Sequence, residues 1–339
     1  MSFWYLLPLI TLLSYGLTAL LRLYALKRSI IDIPNARSSH SIPTPRGGGV
    51  AIVIVFLLAL LALGLLGLET WPVLVGYLGA GTLIAVIGFM DDHGHIAARW
   101  RLLGHFLAAV WALFWLGGLA PLTMFGFTVD LGWLGAMAAA FYLVWMLNLY
   151  NFMDGIDGIA SVEAMCACLG ACLIYWLTGH EQLIYAPLFL AMAVAGFLSW
   201  NFPPAKIFMG DAGSGFLGII LGCLSLQAAW AGSAFLFAWL ILLGVFVVDA
   251  TFTLIRRLVR GDKVYEAHRS HGYQFASRLH GKHKPVTLAV VVINVVWLLP
   301  LAIGVGLQYM DSAVGLMLAY LPLVLLAVKY NAGQLEETV

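Results

Sequence analysis

Residues 73–92 read VLVGYLGAGTLIAVIGFMDD, an apolar run without a charge that ends in two adjacent aspartates. An α-helix needs about 20 largely apolar residues to cross the hydrocarbon core of a bilayer. The two acids then fall where such a helix leaves the apolar layer. The stretch therefore predicts a membrane-spanning helix that opens into a charged loop.

The whole chain has the same apolar character. Of its 339 residues 10% are charged and 63% are hydrophobic, the mean hydropathy is +0.97, and soluble domains carry about 25% charged residues. A soluble protein of this composition would expose large apolar patches, which are rare. The net charge of +1 also lacks the basic excess that marks nucleic-acid binding. Composition thus excludes a soluble enzyme, a disordered chain and a nucleic-acid binder, and favours a multi-pass membrane protein.

Eleven apolar segments have about the length of a spanning helix, and none shows the alternation of a membrane β-barrel. We therefore predict an all-α fold with about eleven transmembrane helices in a single domain over residues 1–339. The predicted helices cover residues 3–25, 48–67, 73–90, 102–119, 133–149, 158–178, 183–200, 214–230, 234–255, 286–307 and 310–328.

The loops between these segments fall into two alternating sets. All seventeen Lys and Arg lie in or beside the first set of loops. The charged residues in or beside the second set are all acidic. Because basic loops stay in the cytoplasm, we predict an external N-terminus and a cytoplasmic C-terminus. So complete an asymmetry also supports the count of eleven. The first set comprises residues 26–47, 91–101, 150–157, 201–213, 256–285 and the tail 329–339, and all but the tail are expected to form the active site.

The cytoplasmic loops hold several unusual clusters, the first being Gly88–Asp92, which reads GFMDD. Two adjacent carboxylates raise each other's pKa and attract a cation or a proton. Ordinary solvation of a helix end explains a lone pair of this kind equally well.

The second cluster, residues 148–158, reads NLYNFMDGIDG. Asn148 and Asn151 are three residues apart, as are Asp154 and Asp157, so in a helix each pair lies on one face. Such oxygen ligands suit Mg²⁺, which takes one or two protein carboxylates and completes its shell with phosphate and water. A turn capped by Asn and Asp is the structural alternative, but the density of these residues favours a binding site.

The third cluster, residues 201–215, reads NFPPAKIFMGDAGSG. It places Lys206 and Asp211 before a helix whose free N–H groups would attract phosphate. We expect Asp211 to hold a metal and Phe208 to stack on a base. An N-cap role for Asp211 is the alternative.

Three further features carry less information by themselves. The basic loop 256–285 is typical of binding to anionic lipid headgroups. Asp249 lies inside an apolar helix, where an ionisable residue is a functional candidate. The loop 32–49 contains DIPNARSSH and PTPRGGG and is otherwise an ordinary Pro/Gly-rich linker.

Taken together, these motifs resemble the polyprenyl-phosphate N-acetylhexosamine-1-phosphate transferases, the WecA/MraY-type enzymes, from Asp32 to about His283. The resemblance rests on PNARSSH…PTPRGGG, GFMDD, NLYNFMDGIDG, PAKIFMGDAGS, Asp249 followed by Arg256-Arg257, and AHRSHGYQ. It implies transfer of a sugar 1-phosphate from a UDP-sugar to undecaprenyl phosphate with release of UMP. It also implies Mg²⁺, with Mn²⁺ as an alternative, and an active site on the cytoplasmic face of the bacterial inner membrane.

The resemblance also implies roles for individual residues. Asn151 and Asp211 match the metal positions, and Asp157 and Phe208 match positions near the uracil. The catalytic candidates are the acidic pair Asp91 and Asp92, one of which would deprotonate the lipid phosphate, together with Asp154. The remaining candidates for substrate contact are Arg101, at a phosphate-binding position, and Asn148, Lys206, Arg46, His268 and His271.

The histidine loop departs from the family pattern, because it reads His268-Arg269-Ser270-His271 where the family often has HHxHH or HHH. The loop is therefore unlike that of the peptidoglycan-precursor branch. It resembles that of the branch that initiates O-antigen on GlcNAc or an N-acetylated 6-deoxyhexosamine. A transporter or flippase of an anionic substrate is the rival hypothesis, but transporters tend to have repeated halves and polar residues near the midplane. The oligomeric state, a homodimer included, is open.

Overall fold

The computed structural model describes residues 3–34, 39–40, 42–94, 96–262 and 269–335. These ranges are mostly helical, which confirms the predicted helical fold class. The α-helices are α1 Leu6–Lys27, α2 Val50–Leu65, α3 Trp71–His93, α4 Ala98–Leu116, α5 Gly132–Met153, α6 Ile159–Leu177, α7 Tyr185–Asn201, α8 Asp211–Ala231, α9 Ser233–Leu242, α10 Gly244–Arg260, α11 Gly272–His280, α12 His283–Val292, α13 Leu299–Gly306 and α14 Ser312–Lys329. Short 3₁₀ turns cover Phe3–Tyr5 and Glu181–Leu183, and a π-helical stretch, Ile293–Leu298, joins α12 to α13.

Each of the eleven predicted apolar segments is helical, but they are not equally long or apolar. Among the described residues eight helices can cross a membrane by length and composition, and α9 with α10, which are bent by 73°, would make nine. The helix α2 has only 16 residues, and α4 carries Arg99, Arg101 and His105 in its first half. The count of eleven spans and the orientation of the termini therefore stay predictions.

In the part of the chain that the structure describes, two short antiparallel strand pairs lie outside the helices. Strands β1 (Ile31–Asp32) and β2 (Thr44–Pro45) pair antiparallel with Ile31 opposite Pro45. Strands β3 (Leu122–Met124) and β4 (Phe127–Val129) form a second antiparallel pair between α4 and α5. Strands of two or three residues are too short to show a period, so the sequence did not predict them.

The helix α8 forms the centre of the molecule, and every residue from Ala212 to Leu226 is buried. It packs against α3 and α5, and glycines let the backbones approach closely. A Cβ on Gly218 of α8 would lie 2.5 Å from the Cα of Leu147 in α5, and one on Gly88 of α3 would lie 2.6 Å from the backbone of Asp211. This packing brings the first turn of α8 beside the last turns of α3 and α5, where the acidic clusters are.

Candidate active site

Arg46 links the acidic pair to the start of α8. Its Nη2 lies 2.6 Å from Asp92 Oδ1 and 2.7 Å from Asp211 Oδ1. Burial by itself would lower the pKa of Arg46, but the carboxylates of Asp211 and Asp92 outweigh it and raise that pKa. The predicted site residues Arg46, Asp92 and Asp211 thus form one ion-pair cluster.

The loop that carries Arg46 is fixed by main-chain hydrogen bonds to the segment before α8. Phe208 N donates to Pro45 O at 2.8 Å, and Gly48 N donates to Phe208 O at 2.9 Å. Gly210 then enters α8 with φ +79°, a backbone conformation that favours glycine. A Cβ on Gly210 would also lie 2.8 Å from Asp92 Oδ2, so glycine leaves room for that carboxylate.

The two acids of GFMDD have different surroundings. Asp92 accepts the backbone N–H groups of Asp211 and Ala212, at 3.1 and 3.3 Å, and its side chain is 3% exposed. It therefore caps α8, and the alternative N-cap role of Asp211 is wrong, because Gly210 occupies the N-cap position and Asp211 is the first residue of the helix. Asp91 instead pairs with Arg101 and accepts the N–H of Ile96 at 3.0 Å.

A cavity of about 450 Å³ opens between α3, α4, α5 and α8. Its polar end is formed by five predicted site residues, which are Asp91, Arg101, Asn148, Asn151 and Asp211. The rest of its wall is largely apolar and includes Ile84, Leu102, Phe106, Phe141 and Val144. A cavity of this kind suits a ligand with an anionic head and an apolar chain.

The oxygen ligands at the polar end fit Mg²⁺ better than a metal that is held by protein side chains alone. Asn151 Nδ2 donates to Ser214 Oγ at 2.9 Å, so the amide is oriented beside the first turn of α8, which carries Asp211. No group of three or more His, Cys, Asp or Glu side chains in the described residues could hold a metal by itself. Mg²⁺ needs only one or two protein carboxylates when phosphate and water complete its shell, so Asp211 with Asn151 fits a metal held jointly with substrate.

Asp154 is the C-cap residue of α5, and its backbone N–H donates to Asn151 O. Burial, and then the neighbouring carboxylate of Asp211, raises the pKa of Asp154 well above its ordinary value. A cation that enters the cluster would lower the pKa of such a carboxyl group.

A second cavity, of about 610 Å³, is lined by Asp157 and Phe208. The ring of His40 lies edge-on to that of Phe208, with centroids 4.8 Å apart. Cationic side chains form part of the wall, namely Arg278, Lys282 and Lys284. The cavity therefore combines an aromatic face, a carboxylate and positive charge.

Lys206 and His271 are predicted contacts that line neither cavity. The exposed Lys206 places its Nζ over the ring of Trp200, 5.4 Å from the centroid, and lines neither cavity. His271 is 2% exposed, and its Nδ1 lies 3.4 Å from Asp249 Oδ1. His268 lies outside the described residues. The predicted substrate contacts of Lys206 and His271 therefore gain no support from their positions.

Asp249 itself has a structural role. Its carboxylate accepts the N–H groups of Gly272 and Tyr273, at 3.0 and 2.9 Å, and so caps α11. Tyr273 Oη donates to Phe152 O at 3.0 Å. The carboxylate thus orients α11 against the end of α5, beside the metal candidates.

His105 and His283 line the cavities but were not among the predicted site residues. His105 lies one helical turn after Arg101 and lines the 450 Å³ cavity, a position that the i, i+4 spacing could have indicated. His283 contacts Asp157 across 126 residues of sequence, and no local pattern indicates such a contact.

The chain is similar over most of its length to known proteins. Residues 74–229 match the model of glycosyl transferase family 4. The chain is 30% identical over 292 residues to the probable undecaprenyl-phosphate N-acetylglucosaminyl 1-phosphate transferase of Bacillus subtilis (strain 168), covering 83% of this chain and 79% of that protein.

Two other relatives are more distant. The decaprenyl-phosphate N-acetylglucosaminephosphotransferase of Mycolicibacterium smegmatis is 29% identical, with 82% of this chain and 76% of the relative covered. The phospho-N-acetylmuramoyl-pentapeptide-transferase of Streptococcus pneumoniae (strain D39) is 27% identical, with 71% and 77% covered. The likeness thus extends over most of the chain, and the chain belongs to glycosyl transferase family 4, together with the bacterial polyprenyl-phosphate N-acetylglucosamine-1-phosphate transferases.

Proposed function

We propose that the protein transfers a sugar 1-phosphate from a UDP-sugar to undecaprenyl phosphate and releases UMP. The sugar is an N-acetylhexosamine or an N-acetylated 6-deoxyhexosamine, and the product initiates O-antigen or another envelope polysaccharide. One observation carries the proposal: the same two segments line both cavities. Residues 148–157 and 208–211 contribute Asn151 and Asp211 to one, and Asp157 and Phe208 to the other.

The 450 Å³ cavity is the proposed site of the lipid acceptor. Its apolar wall would contact the first isoprene units, and Arg101 would bind the phosphate. Asp91, adjacent to Arg101, would orient that phosphate for attack. Because the acceptor phosphate is attached to a lipid, the reaction would take place at a membrane interface. We propose the cytoplasmic interface, because the basic loops are predicted to lie there.

The 610 Å³ cavity is the proposed site of the nucleotide. Phe208 would stack on the uracil, and Asp157 would accept a hydrogen bond from its N3–H group. Arg278, Lys282 and Lys284 would attract the diphosphate. An aromatic ring gives any base a stacking surface, so the carboxylate would supply the base preference.

Phosphoryl transfer depends mainly on positioning and on charge neutralisation. Mg²⁺ bound by Asp211 and Asn151 would neutralise the diphosphate and the UMP leaving group. Arg46 would keep Asp211 oriented, and Arg101 would hold the acceptor phosphate in line. A phosphate monoester has a second pKa of about 6 and is mostly dianionic at neutral pH, so Asp91 would contribute orientation more than proton removal.

A transfer assay tests the proposal directly. Purified protein is incubated with undecaprenyl phosphate, Mg²⁺ and a panel of UDP-sugars, and UMP release is followed together with lipid-linked product. We expect release with at least one N-acetylated sugar and its loss in Asp211→Ala. Glu181→Ala, an exposed carboxylate on the opposite predicted face, is the matched control. Absence of UMP with every sugar, or undiminished release in Asp211→Ala, would contradict the metal-dependent transferase.

Phe208→Ala separates the two substrate sites. We expect the variant to weaken UDP-sugar binding much more than lipid binding, because only the nucleotide would lose its stacking partner. Equal weakening of both would count against uracil stacking.

A further inference from the structure

His283, the first residue of α12, joins two segments that are distant in sequence. Its Nδ1 lies 3.1 Å from Asp157 Oδ1, and its Nε2 lies 2.9 Å from Ser39 O. One turn later Thr287 Oγ1 donates to Asp157 O at 2.8 Å. The start of α12 therefore holds both the carboxylate and the main chain of Asp157.

The protonation of the ring follows from its neighbours. A carbonyl oxygen only accepts, so Nε2 carries the proton that it donates to Ser39 O. Nδ1 faces the carboxylate of Asp157 at 3.1 Å, and the N–H of Asp157 is a longer competitor at 3.4 Å. The shorter contact favours a proton on Nδ1 as well, which makes the pair charge-assisted.

The contact shapes the wall of the 610 Å³ cavity. The second oxygen of Asp157 accepts the N–H of Ala205 at 2.9 Å, in the loop that leads to Phe208. On the other side His283 restrains the Ser39–His40 segment, where Ser39 Oγ and His40 Nε2 are buried and have no hydrogen-bond partner among the described residues. All of these residues line the one cavity.

We propose that His283 is a positioning residue for the nucleotide half of the donor: it orients the Asp157 carboxylate and holds the Ser39–His40 segment against the cavity. The inference rests on the proposed function for the identity of the ligand. It assigns His283 no contact with the lipid acceptor, because His283 does not line the 450 Å³ cavity.

The test measures binding of UMP to the purified full-length protein by calorimetry, without lipid acceptor, and then both KM values in the transfer assay. We expect His283→Leu to weaken UMP binding by about tenfold, which corresponds to about 1.4 kcal/mol, and to raise the KM for UDP-sugar similarly. The KM for undecaprenyl phosphate should change less than about twofold, well under that tenfold step. His283→Gln, which keeps a donor group, should recover part of the affinity. His280→Leu, an exposed histidine at the end of α11, is the matched control.

A double-mutant cycle keeps the inference testable if His283→Leu does not fold. Asp157→Asn and His283→Gln should be non-additive in UMP affinity, since both act on one contact. Additive effects, an unchanged UMP affinity in both His283 variants, or equal rises in the two KM values would overturn the inference, as would a wild-type protein that does not bind UMP. A wild-type protein that binds UMP with the expected variant effects but transfers no sugar phosphate would contradict the proposed function and support the role of His283.

Discussion

The carboxylate of Asp92 accepts the backbone N–H of Asp211 at 3.1 Å, so the last turn of α3 caps the first turn of α8. Its neighbour Asp91 faces the 450 Å³ cavity instead. Two adjacent acids of one motif therefore have separable roles.

Asp92→Ala is expected to destabilise the protein. The change removes a helix cap, which is worth about 1 kcal/mol, and leaves Arg46 with one carboxylate partner fewer. Asp92→Asn keeps an acceptor and should lose less. Thermal unfolding in detergent measures the difference, and an Asp92→Ala protein as stable as wild type would refute the capping role.

Asp91→Asn is expected to fold normally and to lower kcat by less than about 100-fold, the lower end of general-base contributions. The reason is that the acceptor phosphate is already dianionic near neutral pH. Steady-state kinetics with saturating substrates measure this decrease in kcat. A loss of more than about 1,000-fold would show that proton removal by Asp91 matters more than orientation.

Metal removal is expected to abolish transfer. EDTA should stop UMP release, and added Mg²⁺ should restore it. Mn²⁺ is the alternative metal. Asp211→Asn and Asn151→Ala should raise the Mg²⁺ concentration for half-maximal activity, because each removes one oxygen donor of a site with few protein ligands. Mg²⁺-dependent thermal shifts provide a readout apart from turnover, and activity that persists in EDTA would contradict the metal site.

Gly88→Ala is expected to lower both stability and activity, since its Cβ would lie 2.6 Å from the backbone of Asp211 and Ala212. Gly304→Ala, a helical glycine with nothing within 4 Å of the added Cβ, is the control and should be neutral or stabilising by up to about 1 kcal/mol. Equal melting temperatures for the two variants would argue against close packing of α3 on α8.

The predicted orientation is testable by cysteine labelling. Phe127, 75% exposed in β4, lies in a loop predicted to be external, and Val259, 85% exposed in α10, lies near the predicted cytoplasmic face. A membrane-impermeant maleimide should label Phe127→Cys in intact spheroplasts and Val259→Cys only after permeabilisation. The unmodified protein controls for its own four cysteines, and the reverse pattern would invert the topology.

The membrane class, the helical segments and the clustering of acids at helix ends were predictable from sequence. Hydropathy and the placement of charge are properties of the linear chain, and helices in a bilayer satisfy their backbone hydrogen bonds within one segment. Hydropathy did not predict the 73° bend between α9 and α10, because the predicted apolar segment 234–255 continues across the junction of the two helices. The substrate contact predicted for Lys206 stays a prediction, and its side chain lies over Trp200.

The separate roles of Asp91 and Asp92 were determined only by the tertiary structure. Successive residues of a helix point about 100° apart, so Asp91 and Asp92 face different neighbours, and the packing of α3 on α8 determines which neighbours these are. The pairing of Asp157 with His283 joins residues 126 positions apart. A contact of that kind follows from the way helices pack together and has no counterpart in local sequence.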